Sequence, residues 1–290
     1  FISWWVKELP EVITGWNVNG FDIPYLHNRI NLILGEDEVR NLSPWRFITS
    51  TEIEINNRNE QRFEIVGVAV LDYLEAYKKF TFTNRASYRL DVIAEVELGE
   101  KKLDYSEYGS FEEFYINDWQ KFTEYNIHDV NLVDRLEEKL KLIELIVLIA
   151  YDSHVNYGDT FYQVRLWDVV IYNFLKKKNI VLSPVNKSHK DDQYEGAYVK
   201  EPIPGAYQWI VNFDLNSLYP SLIRFLNISP ETLYSKIHVD KEDLIQKTNP
   251  LSNVDPNLSL AANGCMYRRD KPGFMSELVK KIYDERVQYK

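Results

Sequence analysis

Glu11-Val12-Ile13-Thr14-Gly15-Trp16-Asn17-Val18-Asn19-Gly20-Phe21-Asp22-Ile23-Pro24 decides the fold class. Residues 11–16 read as a strand, Asn19-Gly20 as a turn, and residues 24–34 as a helix. Pro24 suits a first helical turn and Gly35 stands just past the last one. A strand, a turn and a helix in that order build an α/β fold. Asp22 lies at the mouth of this unit, where a carboxylate can either cap the helix or bind a cation.

Outward from this unit, residues 63–74 are rich in Val, Ile, Leu and Tyr and predict another strand. Residues 115–151 predict a long helix, because Phe122, Tyr125, Asp129, Val133, Leu136, Leu140 and Ile143 recur every three or four residues. Tyr125 and Asp129, one turn apart, then share the core-facing stripe, as a buried hydrogen-bonding pair or as part of a site. A second helical stretch covers residues 161–178, and a loop rich in Ser, Pro, Asn and Lys over 183–193 predicts a domain boundary. Residues 249–263 read as loop, 265–269 as a short strand between the turn signals Asn263-Gly264 and Pro272-Gly273, and Ser276 as the cap of a last helix.

The chain has 290 residues and 45% hydrophobic content, enough for two packed domains or parts of several. A net charge of −10 argues against a surface that grips nucleic acid over its whole area, while leaving room for a local basic groove. Residues 264–290 run against the overall balance, with seven Lys or Arg against four Asp or Glu. The single cysteine, Cys265, excludes an internal disulfide and a Cys-based zinc site within the chain, and a reducing compartment is the default. The most apolar stretch, 142–151, contains Glu144 and is far shorter than the ~20 residues of a membrane span. Opening on Phe1 in helix-like sequence and stopping inside another helix, the chain is expected to be a piece of a longer protein.

Trp209, Val211 and Phe213 alternate with Ile210, Asn212 and Asp214, the period of a strand with one packed face. Pro220 removes a backbone donor and restricts Tyr219, so pairing should stop and a helix can open over 221–225. Asp214 at such a strand exit either begins a turn or reaches into a cleft to hold a divalent cation. The run Asp214-Leu215-Asn216-Ser217-Leu218-Tyr219-Pro220-Ser221-Leu222-Ile223-Arg224 closely resembles motif A of family B DNA polymerases, the replicative type. By this resemblance Asp214 and the Leu215 carbonyl bind metal, Ser217 and Leu218 offer backbone donors to phosphates, and Tyr219 lies under the incoming sugar and excludes a 2′-hydroxyl.

Asn17-Val18-Asn19-Gly20-Phe21-Asp22 and Tyr125-Asn126-Ile127-His128-Asp129 resemble the second and third exonuclease motifs of the same family, in the family's order. The resemblance makes Asp22 and Asp129 metal ligands and Tyr125 the residue that orients the attacking water. The first motif, Asp-x-Glu on an upstream strand, is missing; Asp240-Lys241-Glu242 follows motif A in a charged surface run. With half of the carboxylates absent, the chain alone is expected to show little or no exonuclease activity. Tyr157-Gly158-Asp159-Thr160 looks like the start of motif C but lacks its second Asp and precedes motif A, so it is rejected.

The resemblance runs through nearly the whole chain and is similar to the T-even bacteriophage members in particular, including Leu71-Asp72-Tyr73-Leu74 and Tyr77-Lys78-Lys79-Phe80. Tyr194-Glu195-Gly196-Ala197 resembles the segment before the palm that contacts template DNA, with Ala197 where Gly is commoner, so Tyr194, Gly196 and Ala197 are candidate DNA-binding residues. Arg286 and Lys290 resemble the pair at the start of the fingers that contacts the triphosphate; otherwise both flank an apolar stripe with their charges in solvent. The fold implied is α/β, α+β overall: a ribonuclease H-like 3′–5′ exonuclease domain lacking its first motif over 1–142 and a helical segment of the N-terminal domain over 143–185. A partial palm with antiparallel sheet follows over 186–271, and the fingers begin at 272–290.

The resemblance further implies two-metal nucleotidyl transfer with Mg²⁺, primer–template DNA and deoxynucleoside triphosphates as partners, a sliding clamp for the full-length enzyme, and a host cytoplasmic location without a membrane. Motifs B and C are absent, so no primer extension is expected of the chain alone. Two rival expectations are a non-catalytic half of a split polymerase, completed by a second chain bearing motifs B and C, and a stand-alone nuclease with a polymerase-like appendage.

Overall fold

The computed structural model describes residues 1–55, 58–181, 199–239 and 255–289. They form two compact units, Phe1–Val170 and Ile171–Lys290.

In the first unit, β1 (Val12–Gly15) pairs in parallel with β4 (Ala69–Asp72), Val12 opposite Ala69 and Gly15 opposite Asp72. Parallel strands need a crossover, and α2 (Asp22–Leu34) belongs to it. Ile23 and Ile30 of α2 are buried with Trp5 of α1 (Ile2–Glu8), Val39 of α3 (Glu36–Val39), Leu42, Phe63 and Ile65. The antiparallel pair β2 (Ile48–Ile55) and β3 (Arg58–Ile65) runs from Ile48 opposite Ile65 to Ile55 opposite Arg58. A larger core joins Leu71 of β4 to α4 (Tyr73–Phe80), α5 (Leu90–Leu98), α7 (Trp119–Leu140) and α8 (Leu142–Ser153), through Tyr73, Tyr77, Ile93, Leu136 and Ile146. A short α6 (Phe111–Asn117) precedes α7.

Two expectations for this unit are corrected. Residues 63–74 are not one strand but the end of β3, a turn, β4 and the start of α4. The chain reverses at Gly67, whose φ of 92° is one that L side chains rarely adopt, and a Cβ there would lie 2.6 Å from Pro44 Cγ. The helix of 115–151 is three helices. Asp118 takes the Lys121 N–H at 2.9 Å and restarts the chain as α7, and Lys141, at φ 53°, ends α7 in a left-handed turn. The Glu137 carboxylate then accepts the N–H groups of Ile143 and Glu144 at 3.0 and 3.1 Å, capping α8 from the preceding helix.

The helix α9 (Gln163–Lys177) runs across the division between the units. In the second unit the antiparallel sheet has the order β5 (Leu233–Lys236), β7 (Cys265–Arg268), β6 (Leu258–Leu260), so the stretch read as loop contains a strand. Among the described residues it also contains the helices α10 (Leu218–Leu226) and α11 (Phe274–Gln288). Residues 207–214 are not a strand: they pair with no segment among the described residues, Trp209 sits at φ 61°, and Phe213 is 86% exposed. Alternation fixes which face is apolar but supplies no partner for the backbone. Ser276 does not cap α11, whose N-cap is Gly273; it lies inside the helix and donates to the Ile223 carbonyl at 3.0 Å.

Tyr77 and Arg85 hold α5 to α4 through one carboxylate. The Tyr77 hydroxyl donates to Glu97 Oε1 at 2.7 Å and Arg85 Nη2 to the same atom at 2.8 Å. Burial pushes the Glu97 carboxyl up, yet these two hydrogen bonds and the Arg85 charge outweigh it and leave the pKa below its usual value. A depressed carboxylate stabilises the fold above its unfolded value, and that contribution is lost as pH falls through the folded one. Glu97→Gln is therefore expected to lower stability at pH 7 and to flatten the acid limb of a stability–pH curve below the ordinary glutamate range. Urea unfolding followed by circular dichroism at several pH values reads both effects.

Candidate functional site

The parallel register sets Gly15 opposite Asp72, so the loop after β1 and the turn after β4 emerge side by side at the carboxyl ends of the two strands. That is where open α/β sheets place their ligand sites. Asp72, 1% exposed, organises this end of the sheet. Its Oδ1 accepts the N–H of Asn17 at 3.1 Å and of Leu74 at 2.9 Å, and its Oδ2 that of Asn19 at 3.0 Å. It thereby caps α4 and pins the loop that delivers Asp22 to the start of α2. Burial raises the Asp72 pKa, opposed by the backbone donors of Asn19, Leu74 and Asn17.

Asp22 is exposed as a residue, and its side chain makes no capping hydrogen bond as an N-cap would, because it is the first helical residue and Phe21 holds that position. Partial desolvation lifts its pKa, its own backbone N–H opposes the rise, and the Asp72 charge adds to it. A carboxylate raised by burial and by the charge of a neighbouring acid marks a place where positive charge is favoured.

Asp129 and Tyr125 face the same way from α7, and a residue outside the motifs binds both. Lys102 Nζ stands 2.5 Å from Asp129 Oδ2 and 3.3 Å from the Tyr125 hydroxyl, and 5.3 Å over the Tyr125 ring. Burial would lower the Lys102 pKa, but the hydrogen bond and charge of Asp129, with Tyr125, raise it on balance and keep the ammonium charged. Desolvation raises the Tyr125 phenol, the Lys102 charge opposes it, and Asp129 adds to it. Asp129 Oδ1 is buried with no hydrogen-bond partner, whereas both oxygens of Asp72 accept backbone N–H groups. Tyr105, Phe111 and Phe114 pack edge-on against the Tyr125 ring and fix its direction.

These are hard oxygen donors, suited to Mg²⁺. Among the described residues, however, no three His, Cys, Asp or Glu side chains converge on one cation position.

In the second unit, Asp214 and Leu215 lie exposed in extended chain before the turn at Asn216 and Ser217. Ser217, at φ 52°, opens α10, with Leu218 and Tyr219 in its first turn. From the last turn of α11, Arg286 Nη1 reaches Ser217 Oγ at 3.4 Å. Tyr194, Gly196, Ala197 and Lys290 lie outside the described residues, as does Asp240-Lys241-Glu242. Tyr157–Phe161 is a short 3₁₀ helix in which Asp159 faces Asn156 and Arg165, in keeping with its rejection as a palm motif.

Asp72 and Lys102 are the site-forming residues that motif spacing did not single out. Asp72 falls within the stretch 63–74 that reads as a strand, so its capping role carries no separate signal. Lys102 lies 27 residues before its partner, in a turn region without periodicity.

Residues 157–290 match the family described as DNA polymerase family B, and residues 1–93 match the exonuclease domain of that family. The chain belongs to family B of the DNA polymerases, and its α/β first unit carries the ribonuclease H-like exonuclease fold. It is 38% identical to the DNA-directed DNA polymerase of Escherichia phage RB69 and 35% identical to that of Enterobacteria phage T4, in each case over all of this chain and 32% of the relative. The catalytic subunit of DNA polymerase delta from Schizosaccharomyces pombe is 29% identical over 80% of this chain and 22% of its own length. The chain thus spans about a third of the length of the phage relatives.

Asp72→Ala removes a helix cap and leaves the Asn17 and Asn19 N–H groups without their acceptor. A loss of about 2–3 kcal/mol is expected in urea unfolding. Asp72→Ser restores the cap alone, so hydrogen exchange at Asn17 and Asn19 should stay fast in it while α4 recovers.

Proposed function

We propose that this chain is the central part of a DNA-directed DNA polymerase that also degrades a mispaired primer end in the 3′–5′ direction. The convergence of Ser217 and Arg286, 69 residues apart and 3.4 Å from each other, carries the reading, because it sets a hydroxyl, a helix start and a guanidinium side by side, donors of the kind that receive phosphate oxygens. Residues 1–142 are assigned to the exonuclease domain, 143–185 to a helical segment, 186–271 to the palm and 272–290 to the start of the fingers.

At the polymerase site, Asp214 and the Leu215 carbonyl would hold cation, and the Ser217 and Leu218 backbone would receive phosphate oxygens. Tyr219 would close the sugar side against a 2′-hydroxyl, and Arg286 with Lys290 would neutralise the triphosphate. Tyr194, Gly196 and Ala197 would follow the template strand. At the exonuclease site, Asp22 and Asp129 would hold cation and Tyr125 would align the attacking water. Mg²⁺ when bound supplies charge neutralisation on the phosphates and a lowered pKa for the attacking oxygen. Lys102 holds Asp129 and Tyr125 in their relative positions by its hydrogen bonds and keeps net charge low around Asp129. No helix among the described residues is long and apolar enough to cross a membrane.

The discriminating experiment compares three variants of the complete polymerase on a primer–template and on single-stranded DNA. Asp214→Asn should lower primer extension by about 100-fold or more and spare degradation; Asp22→Asn should do the reverse. Lys102→Met should slow degradation roughly 10-fold through misplacement of Asp129, without affecting extension. Extension that survives Asp214→Asn excludes that residue from the site. Duplex binding should weaken steeply between low and moderate salt, since phosphate contacts release counterions. Rescue of extension on mixing this 290-residue chain with a second polypeptide bearing motifs B and C would favour the split-enzyme reading.

A further inference from the structure

Arg286 stands at the far end of a fifteen-residue helix, α11, so where its guanidinium lies depends on how the near end of that helix is anchored. The anchor is unusual. α11 begins with Gly273 as its N-cap, which has no side chain to satisfy the first N–H groups. Three side chains of the turn that ends α10 supply the acceptors instead. Gly273 N–H reaches Asn227 Oδ1 at 2.8 Å, Phe274 N–H reaches Glu231 Oε1 at 2.6 Å, and Met275 N–H reaches Ser229 Oγ at 3.4 Å.

Asn227 is the centre of this junction. It ends α10 in the left-handed region at φ 58°, a position Asn tolerates better than most residues. Its Nδ2 donates to the carbonyls of Arg268 at 2.7 Å and Lys271 at 2.9 Å, so its amide is fully committed and its orientation is fixed by two acceptors and one donor. Its own carbonyl accepts the Thr232 hydroxyl at 2.6 Å. One buried side chain therefore ties the end of the motif A helix to the end of β7, to the turn that follows, and to the first N–H of α11. Further along the two helices, Ser276 donates to the Ile223 carbonyl at 3.0 Å and the Arg224 guanidinium lies 5.2 Å from the Tyr283 ring centroid. Gly273 is required for the same closeness: a Cβ there would lie 2.5 Å from Ser229 Cβ.

We propose that Asn227 is a positioning residue for nucleotide addition. By clamping the start of α11 to the end of α10 it sets the approach of Arg286 to Ser217, and so the shape of the phosphate position between them. The inference rests on the reading that Ser217 and Arg286 receive the triphosphate. It assigns the precision of that site to a residue that touches no substrate.

The test has a structural arm and a kinetic arm. In the 290-residue chain, with Cys265 replaced by Ser, nitroxide labels on exposed Leu222→Cys and Val287→Cys report the spacing of α10 and α11 by double electron–electron resonance. Asn227→Gly keeps the left-handed turn while removing the amide, and Gly273→Ala wedges the junction from the other side; both should broaden or shift a single narrow distance. Ser259→Ala, which loses a hydroxyl bonded to the Leu226 and Tyr267 carbonyls, lowers stability without touching the start of α11 and should leave the distance intact.

In the complete polymerase, both junction variants should raise the KM for the incoming nucleotide by about 10-fold, with a smaller change in kcat, and leave degradation of single strands unchanged. An unchanged distance in both variants overturns the clamp, and a changed distance with unchanged KM overturns its role in nucleotide placement. Absence of primer extension by the unsubstituted enzyme would count against the polymerase reading alone, and the resonance distances would still decide the clamp.

Discussion

The loop and helix starts at the carboxyl ends of β1 and β4 depend on one buried carboxylate. Asp72 closes β4, starts α4 and accepts two N–H groups from the loop between β1 and α2. A backbone loop that close to a sheet edge must find acceptors for its amides. Asp72 provides them from a strand that is a neighbour in space and more than fifty residues away in sequence. Without that acceptor, the parallel register alone would leave the direction of Asp22 undetermined. A second acid so near Asp22 also raises its pKa, which makes the same few atoms a scaffold and an electrostatic bias toward a cation.

The two units solve a shared problem with different chemistry. In the first, acids and Lys102 are drawn together and their charges are balanced in place, since Asp129 gains an ammonium on one oxygen and keeps the other unpaired. In the second, mainly neutral groups carry the geometry: an Asn, two hydroxyls and a glycine, with the Glu231 carboxylate as the one charged acceptor among them, hold α11 against α10, and Arg286 and Asp214 stay exposed. Buried neutral hydrogen bonds are directional and little affected by the charge of an arriving ligand. A fixed position for a highly charged ligand is better held by such groups than by ion pairs that the ligand itself would compete for.

How much of this was legible in the sequence follows from what a linear pattern can encode. The strand, turn and helix at 11–34, the face shared by Tyr125 and Asp129, and a helix over 221–225 are local and read correctly, although that helix starts earlier, at Leu218, with Pro220 in its first turn. The failures are non-local. The helix of 115–151 kept its periodicity across two breaks, because Asp118 and Lys141 turn the chain without disturbing the apolar spacing. The strand at 207–214 had the right alternation but pairs with nothing among the described residues, and pairing is a property of two segments. Asp72 lay inside the stretch read as a strand; its capping of α4 appears once that stretch is seen to end there, and its hold on Asn17 and Asn19 only when β1 lies beside β4. Lys102 carries no signal at all until α7 is folded against the turn that contains it.

A net charge of −10 on a protein that is proposed to hold DNA is consistent with this arrangement. Acidic residues repel phosphate unless cations or lysines neutralise them, so under the proposed function binding of a nucleic-acid end would be coupled to cation binding at the first unit. Lys102 relieves part of that repulsion permanently. The part left over, on Asp22 and the free oxygen of Asp129, is what a divalent cation would neutralise. An acidic surface elsewhere then limits non-specific contact with the duplex, and affinity is concentrated where the chemistry is. By this argument the excess of negative charge sharpens the preference for a strand end over duplex, and a chain of the same fold with neutralised surface acids would bind DNA more tightly and less selectively.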